Sequence, residues 1–296
     1  MNAIVIVDKP SGMTSAEVVR RVKRVVRPAR VGHLGTLDPF ATGVLPVLIG
    51  EATKLAHFME GGDKRYQGLI ALGTETDTLD REGEVVRTAE VPPLDRERLA
   101  EIERRFTGKI TQVPPVFSAI KRAGVPLYRL ARQGVEIEPP EPREVEIRLL
   151  KLEAAARDSI RLEAVCSPGT YIRSLARDIG IALGSAAHLA ELRRLWTAGY
   201  SIEDASPLEA VLQALESGDW KYARLLDLAE AMPGLPCAKL DPVLEKRLRN
   251  GDSSALDLMV PAGAGIFKVL SLAGNLIAIA RATSRTTAAI ERIFNS

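Results

Sequence analysis

The stretch GHLGTLDPFATG, residues 32–43, contains too much Gly, Thr and Pro for a regular helix or strand. The apolar run at residues 44–49 follows it and predicts a strand. Inside the stretch, Pro39 removes one backbone donor and keeps Asp38 away from the helical region. A loop held between strands is a common place for a catalytic group, although an Asp-Pro pair taken alone is more often a turn or a helix cap.

The rest of the chain alternates between helix-like and strand-like patterns. Thr14 and Glu17 form a capping-box pattern, which predicts a helix with Val18 and Val22 on its apolar side. Strands are predicted at residues 4–7, 66–73, 144–152 and 160–166. Helices are predicted at residues 51–58, 96–106, 170–179 and 186–194, after Ser206-Pro207, and at 241–248. Residues 266–272 and 276–281 predict a hairpin in a small β-rich terminal domain.

Composition places the chain among globular proteins. It has 296 residues, 46% of them hydrophobic and 26% charged, and no apolar run approaches the roughly 20 residues of a membrane span. No signal peptide is recognised, so a cytoplasmic location is expected. Cys166, Cys237 and three histidines are too few for a disulfide framework or a closed zinc site. We therefore expect chemistry without a metal.

The distribution of charge is more informative than its sum. The net charge of +2 is too small to indicate a nucleic-acid partner by itself. Basic residues are nevertheless clustered, at residues 20–30, 121–132, 173–177 and 193–194, while residues 74–103 are acidic. Such runs are more often a solvated helix face than a binding surface, so both interpretations stay open.

Common catalytic patterns do not occur in the sequence, which has no Gly-rich phosphate loop, HExxH pair, Gly-x-Ser-x-Gly elbow or CxxC pair. Five ordered blocks between residues 8 and 194 instead resemble the TruB family of pseudouridine synthases. The blocks are Asp8-Lys9-Pro10-x-Gly12-x-Thr14-Ser15; residues 32–43; Lys64-x-Tyr66-x-Gly68 with Leu72-Gly73 and Thr76-Asp77-Thr78-x-Asp80-x-x-Gly83; Gln112-Val113-Pro114-Pro115 with Phe117-Ser118-Ala119-x-Lys121, Gly124, Tyr128, Arg132 and Gly134; and Cys166-Ser167-x-Gly169-Thr170-Tyr171-Ile172-Arg173 with Asp178-x-Gly180 and Ala187-His188-Leu189-x-x-Leu192-Arg193-Arg194.

The resemblance implies an α+β pseudouridine synthase catalytic fold, a mixed β-sheet flanked by helices and loops, at residues 1–232. It also implies an RNA-binding thumb at about residues 112–143 and a PUA-like, β-rich domain at residues 233–296. The implied activity is the isomerisation of uridine 55 in the T stem-loop of tRNA. The N-glycosidic bond breaks, the uracil turns, and a bond forms from C5 to C1′ without a cofactor. No protein partner is implied, and a monomer is expected.

The resemblance also implies site residues. Asp38 matches the family's catalytic aspartate, which must be ionised in a site that excludes water. Because burial raises the pKa of a carboxyl group, a cation is needed nearby, and the matching position suggests Arg173. Without the resemblance, Arg173 is as well explained as a solvated helix arginine. Tyr66 matches the residue that stacks on the extruded uracil and assists the removal of the C5 proton, although a strand aromatic is usually core.

Four further residues match positions around the substrate. His33 resembles the histidine that contacts RNA where the base has left, and Tyr171 and Leu192 match positions that line the uracil pocket. Either of the last two could be core. Lys9 stands in the opening motif, where it is expected to shape the site rather than perform chemistry. Departures from the family pattern at Leu34, Phe40 and Phe117 are apolar and leave the implied chemistry intact.

Rival hypotheses follow from the same residues. The chain could be a tRNA-binding or tRNA-folding protein without catalysis, or a hydrolase that releases the base. Retention of Asp38, Tyr66 and Arg173 together argues against a pure binder, which has no need of a carboxylate facing RNA phosphates. A related branch of the family modifies rRNA with a guide RNA, and the short chain without a basic tail favours the tRNA branch instead.

Overall fold

The computed structural model describes residues 1–118, 120–122, 124–127, 131, 133, 137–257 and 259–295. The helices in these residues are α1 (Ser15–Val25), α2 (Ala56–Met59), α3 (Arg96–Phe106), α4 (Ile172–Ala182), α5 (Leu208–Ser217) and α6 (Pro242–Arg249), with 3₁₀ turns at Gly50–Leu55, Ile202–Asp204 and Ser253–Leu256. The strands are β1 (Ala3–Lys9), β2 (Val31–His33), β3 (Thr42–Ile49), β4 (Lys64–Leu72), β5 (Thr74–Thr76), β6 (Val85–Thr88), β7 (Gly108–Gln112), β8 (Lys121–Arg122), β9 (Val125–Pro126), β10 (Arg143–Ala156), β11 (Ser159–Cys166), β12 (Ala187–Thr197), β13 (Tyr200–Ser201), β14 (Ser206–Pro207), β15 (Leu225–Leu226), β16 (Cys237–Leu240), β17 (Ile266–Ser271), β18 (Leu276–Ala282) and β19 (Ala288–Ile293).

A large mixed sheet forms the centre of the molecule. Its main path runs β14-β1-β3-β12-β4-β11-β10-β7, with β2 paired to β3, β13 to β12 and β15 to β1. The pairs β1–β14 and β3–β12 are parallel, and the other pairs along this path are antiparallel. The α+β fold with a mixed sheet is confirmed.

Local sequence signals account for the helix boundaries. Thr14 and Glu17 form the capping box that opens α1, and Val18 and Val22 are buried, as predicted. The carboxylate of Asp95 accepts the Arg98 N–H at the start of α3, whose bounds match the predicted 96–106. The helix predicted at 51–58 is instead a 3₁₀ turn followed by the short α2.

The helix predicted at residues 186–194 is wrong, because this segment is strand β12. It lies between β3 and β4 in the middle of the sheet and pairs with both. Buried Ala187, Leu189 and Leu192 follow strand alternation with one register shift between Leu189 and Glu191, and this bulge gives the apolar residues a helix-like spacing. Pairing on both sides outweighs the local pattern.

The C-terminal residues form a second, smaller sheet of order β16-β17-β18-β19, which confirms the predicted β-rich terminal region and its hairpin. The predicted domain boundary after residue 232 falls just before β16. Leu276, Ile279 and Phe294 pack in one apolar cluster with Ile4 and Leu48 of the large sheet. The small sheet thus covers one face of β1 and β3, while α1, α3, α4 and α5 pack on the opposite face, where the site lies.

Candidate active site

The loop that carries Asp38 joins β2 to β3 and is held from below by α1. The hydroxyl of Ser15, which is 1% exposed, accepts the Leu37 N–H at 2.9 Å and donates to the Leu37 carbonyl at 3.1 Å. The Gly12 N–H donates to the Pro39 carbonyl at 2.9 Å. These bonds fix the backbone on both sides of Asp38, so the position of its carboxylate is set before any ligand binds.

Lys9 supports the same loop from inside the protein. It is 0% exposed, and its ammonium donates to the carbonyls of Pro10 at 2.8 Å, Met13 at 2.6 Å and Pro39 at 3.2 Å. Burial lowers the pKa of Lys9 to about 8, and the charge of Asp38 opposes this effect. With all three N–H groups bound to backbone, Lys9 is placed to support the site rather than to touch a substrate.

Asp38 and Arg173 form the ion pair that the sequence predicts. Nε of Arg173 donates to Oδ2 of Asp38 at 2.9 Å, and Nη2 donates to Oδ1 at 3.0 Å. The Arg173 side chain is 4% exposed, whereas that of Asp38 is 31% exposed. The carboxylate is therefore held by a bidentate, charge-assisted contact and still presents one side to an incoming group.

The remaining N–H groups of Arg173 also have hydrogen-bond or ion-pair partners. One of these partners, Asp80, was not predicted from the sequence to be part of the site. Nη1 of Arg173 donates to the Thr78 carbonyl at 2.8 Å and lies 3.5 Å from a carboxylate oxygen of Asp80, while Nη2 also donates to the Phe117 carbonyl at 2.9 Å. Asp80 is 5% exposed and accepts the Thr78 hydroxyl and the Glu82 N–H.

Burial raises the pKa of the Asp80 carboxyl, and its hydrogen bonds and Arg173 oppose that effect. Asp80 belongs to the second sequence block, and a carboxylate amid the turn residues of that block is the signal that could have indicated it. The site is thus a triad of two carboxylates around one guanidinium.

Tyr66 and Leu192 lie side by side on the central strands β4 and β12. Both belong to the apolar cluster beneath the loop, with exposures of 7% and 8%. Burial raises the pKa of the Tyr66 hydroxyl, and the charge of Asp38 also raises it. The Tyr66 hydroxyl therefore stays protonated at neutral pH.

Tyr171 and His33 lie at the margins of the site. Tyr171 precedes α4, exchanges two hydrogen bonds with the Gln112 amide, and has the Arg143 guanidinium 4.8 Å from its ring centroid. His33 ends β2, and burial lowers its pKa, with the charge of Arg194 adding to the effect. Its Nδ1 is buried without a hydrogen-bond partner in the described part of the chain.

A cleft of about 1060 Å³ adjoins this cluster on the side of α3. Phe40 and Leu192 line it close to the Asp38 loop, and Gly68 forms part of its floor. The Arg81 guanidinium lies 5.8 Å from the Phe40 ring centroid at the rim. Asp38 and Tyr66 are not among its lining residues, so the cleft lies beside the site rather than containing it.

The predicted thumb is described only in part. At its start, the Val113 carbonyl accepts the Ser174 hydroxyl at 2.8 Å, which ties the segment to α4. Strands β8 and β9 form a short antiparallel hairpin farther along. The motif residues Tyr128, Arg132 and Gly134 lie outside the described residues.

Among the described residues, no helix combines the length and apolar character needed to cross a membrane. Nor do they bring together three or more His, Cys, Asp or Glu side chains in a way that could hold a metal ion.

Comparison with known proteins agrees with this geometry. Residues 23–172 match the N-terminal domain of the TruB family of pseudouridylate synthases, and residues 173–232 match the tRNA pseudouridylate synthase B C-terminal domain. The chain belongs to the TruB family of pseudouridylate synthases and is therefore an isomerase.

Relatives with curated names are similar over most of their length. The tRNA pseudouridine synthase B of Syntrophotalea carbinolica is 42% identical over 259 residues, which cover 88% of this chain and 84% of that protein. The protein of the same name from Geobacter sulfurreducens is 41% identical, with 85% and 82% covered.

Solved structures show the same fold. A chain of an H/ACA RNP bound to a substrate RNA containing 2′-deoxyuridine matches with a TM-score of 0.72 at 22% identity, covering 99% of this chain and 85% of that one. A chain of a Cbf5–Nop10–Gar1 complex matches with the same TM-score and coverage at 25% identity. These likenesses confirm the pseudouridine synthase fold.

Proposed function

We propose that this enzyme converts uridine 55 in the T stem-loop of tRNA to pseudouridine. The curated relatives are named tRNA pseudouridine synthase B, and this chain covers more than four-fifths of two of them. The observation that carries the proposal is the bidentate contact of Asp38 with Arg173, in which the carboxylate keeps 31% of its side chain exposed. A carboxylate that is paired with a cation yet accessible suits a reaction that builds positive charge on a sugar.

Asp38 is the proposed catalytic group. When the N-glycosidic bond breaks, C1′ becomes electron-poor, and the carboxylate can stabilise it or bond to it covalently, as in retaining glycosidases. It can instead attack C6 of the uracil or remove a sugar proton, and all three routes use an ionised Asp38. Arg173 supplies the charge that keeps the carboxylate ionised when RNA covers the site.

The uracil must leave the RNA stack to reach Asp38. We assign Tyr66 to stack on the extruded base and to assist the loss of the C5 proton, and Leu192 and Tyr171 to line its pocket. His33 is assigned to the space that the base leaves in the RNA. The segment at about residues 112–143 is the proposed thumb, and its anchor to α4 through Val113 supports closure directly over the site.

The proposal includes the setting of the reaction. The enzyme acts as a monomer in the cytoplasm and needs neither a cofactor nor a metal. Residues 1–232 form the catalytic domain and residues 233–296 a PUA-like domain, and the apolar cluster shared by the two sheets supports their acting as one unit on the RNA.

The test is pseudouridine mapping after incubation of an unmodified tRNA transcript with the wild type, with Asp38→Asn and with Asp158→Asn. Asp158 lies in the turn between β10 and β11, so its change is a matched control on the surface. We expect modification at position 55 with the wild type and the control, and none with Asp38→Asn. RNA binding without modification by the wild type would show a catalytically silent binder. Release of free uracil would indicate a hydrolase, and full activity of Asp38→Asn would remove Asp38 from its role.

A further inference from the structure

Arg194 is a buried cation beneath the loop that carries Asp38. It is 0% exposed, and its Nε donates to the Val44 carbonyl at 2.8 Å. Its Nη2 donates to the Gly35 carbonyl at 2.8 Å and reaches that of Leu34 at 3.5 Å. Its Nη1 is buried and has no hydrogen-bond partner among the residues that the structure describes. The side chain therefore fixes the start of the loop through Nε and Nη2.

The positive charge of Arg194 also has no carboxylate close to it in the part of the chain that the structure describes. Arg173 contacts two carboxylates, and the ammonium of Lys9 has all its N–H groups bound, but no carboxylate in the described ranges lies within 4.0 Å of the Arg194 guanidinium. Burial lowers the pKa of Arg194, yet a guanidinium remains protonated at neutral pH. A buried and unpaired charge is costly, and the backbone contacts of Arg194 do not neutralise it.

The Nη1 group lies against the Asp38 loop, on the face of the sheet that Arg194 shares with Tyr66. Arg194 in β12 is the cross-strand partner of Tyr66 in β4, so both side chains leave the same face of the sheet. The guanidinium acts on the Tyr66 hydroxyl strongly enough to oppose the effect of burial on its pKa. At Gly35, which has a φ of +66°, a Cβ would lie 3.1 Å from Nη1, so the loop rests directly on the guanidinium.

We propose that Arg194 is a positioning residue that acts through Tyr66. It holds a positive charge beside the ring on which the uracil stacks, and this charge stabilises the negative charge of the base while the base is detached from the sugar. The inference rests on the proposed function and on the stacking assigned to Tyr66. Because the anion exists only between bond breaking and bond making, a charge preorganised beside it lowers the barrier rather than strengthening binding.

The chemistry balances without a further reactant. When the N1–C1′ bond breaks, its electron pair stays on the uracil. The electron-poor C1′ then bonds to the Asp38 carboxylate, or the sugar loses a proton and forms a double bond at C1′. C5 of the uracil anion then donates an electron pair to C1′ and forms the new bond, while the Asp38–C1′ bond breaks or the lost proton returns to the sugar. The C5 proton leaves and N1 gains a proton, so the product carries no extra charge. The positive charge of Arg194 stabilises the uracil most while the uracil is an anion.

The experiment measures single-turnover formation of the C5–C1′ bond in T stem-loops that contain either uridine or 5-fluorouridine at the target. 5-Fluorouridine has no C5 proton to lose, so its rearranged base keeps the fluorine and water adds across the N1=C6 bond instead. Fluorine stabilises the uracil anion by itself, so a fluorinated base depends less on a nearby cation. We expect Arg194→Met to slow the uridine substrate about 10- to 100-fold with RNA affinity unchanged, and to slow the fluorinated substrate several-fold less. Arg194→Lys, which keeps the charge, should recover most of the rate.

Arg193→Met is the matched control. Arg193 is the adjacent residue of β12, but its guanidinium pairs with the Asp8 carboxylate and its side chain is 40% exposed, whereas Arg194 is fully buried. Thermal melting establishes that each variant is folded, and Arg194→Lys serves as the comparison if Arg194→Met is not. An equal loss on both substrates, or an equal loss in Arg193→Met, would make Arg194 purely structural. A wild type that leaves both stem-loops unconverted would instead refute the proposed function, and this inference with it.

Discussion

Arg173→Met should destabilise the fold as well as stop the reaction, because Arg173 joins two carboxylates of unequal burial. Asp38, 31% exposed at its side chain, can turn to water when the guanidinium is lost. Asp80, 7% exposed at its side chain, would remain as a buried carboxylate with hydrogen bonds but without a cation. Removing one partner of a buried ion pair costs about 3–5 kcal/mol. We expect a loss of that size in the free energy of unfolding, measured by urea titration with tryptophan fluorescence.

A second change separates this explanation from a simple packing defect. If the uncompensated charge of Asp80 is the cause, Asp80→Asn in the Arg173→Met background should restore about 1–3 kcal/mol. Lowering the pH should also restore part of the free energy of unfolding of Arg173→Met. Burial raises the folded-state pKa of Asp80, so its carboxyl takes up a proton more readily in the folded protein, and its contribution to stability grows as the pH falls through that pKa. A loss below 1 kcal/mol, or a further loss from Asp80→Asn, would refute the reasoning.

Three further predictions concern the surroundings of the site. Burial lowers the folded-state pKa of Lys9 to about 8, so the folded state binds fewer protons than the unfolded state. The free energy of unfolding should therefore rise by about 1 kcal/mol from pH 7 to pH 9, and a flat profile would contradict this. Gly43→Ala should unfold the protein or destabilise it by several kcal/mol more than Gly12→Ala in a melting comparison. A Cβ at Gly43 would lie 2.2 Å from the Arg194 carbonyl oxygen, whereas a Cβ at Gly12 would have no neighbouring atom within 4 Å. Cys166 is buried with its pKa raised to about 11, so a thiol reagent at pH 8 should titrate one of the two cysteines in the native protein and both in urea.

Local signals predicted those parts of the fold that local chemistry governs. The capping box at Thr14 and the N-cap at Asp95 determine where helices begin, because the groups that satisfy the first N–H donors lie within three residues. Strand β12 was missed for the opposite reason. Its pairing with β3 and β4 depends on the order of strands in the sheet, and no residue inside the segment reports that order.

The residues of the site also divide into those that the sequence indicated and those that only the structure showed. The resemblance of the sequence blocks indicated Asp38 and its partner Arg173, which are 135 positions apart in the chain, and the structure confirms their contact. The parts played by Asp80 and Arg194 were not indicated, because each depends on burial and on neighbours that only the assembled fold supplies. A carboxylate in a turn and an arginine in a strand have no fixed electrostatic role until their distance from water and from other charges is known.

By itself, the sequence determined the family, the composition of the rigid loop and the identity of the carboxylate within it. Tertiary structure decided how that carboxylate is held: Ser15 and Lys9 fix the loop, and Arg173 pairs with the charge. Arg194 lies beneath the loop, and its Nη1 has no hydrogen-bond partner in the described ranges. The reason is physical. Backbone propensities act over a few residues, whereas desolvation and charge pairing depend on which distant strands the packed sheet brings together.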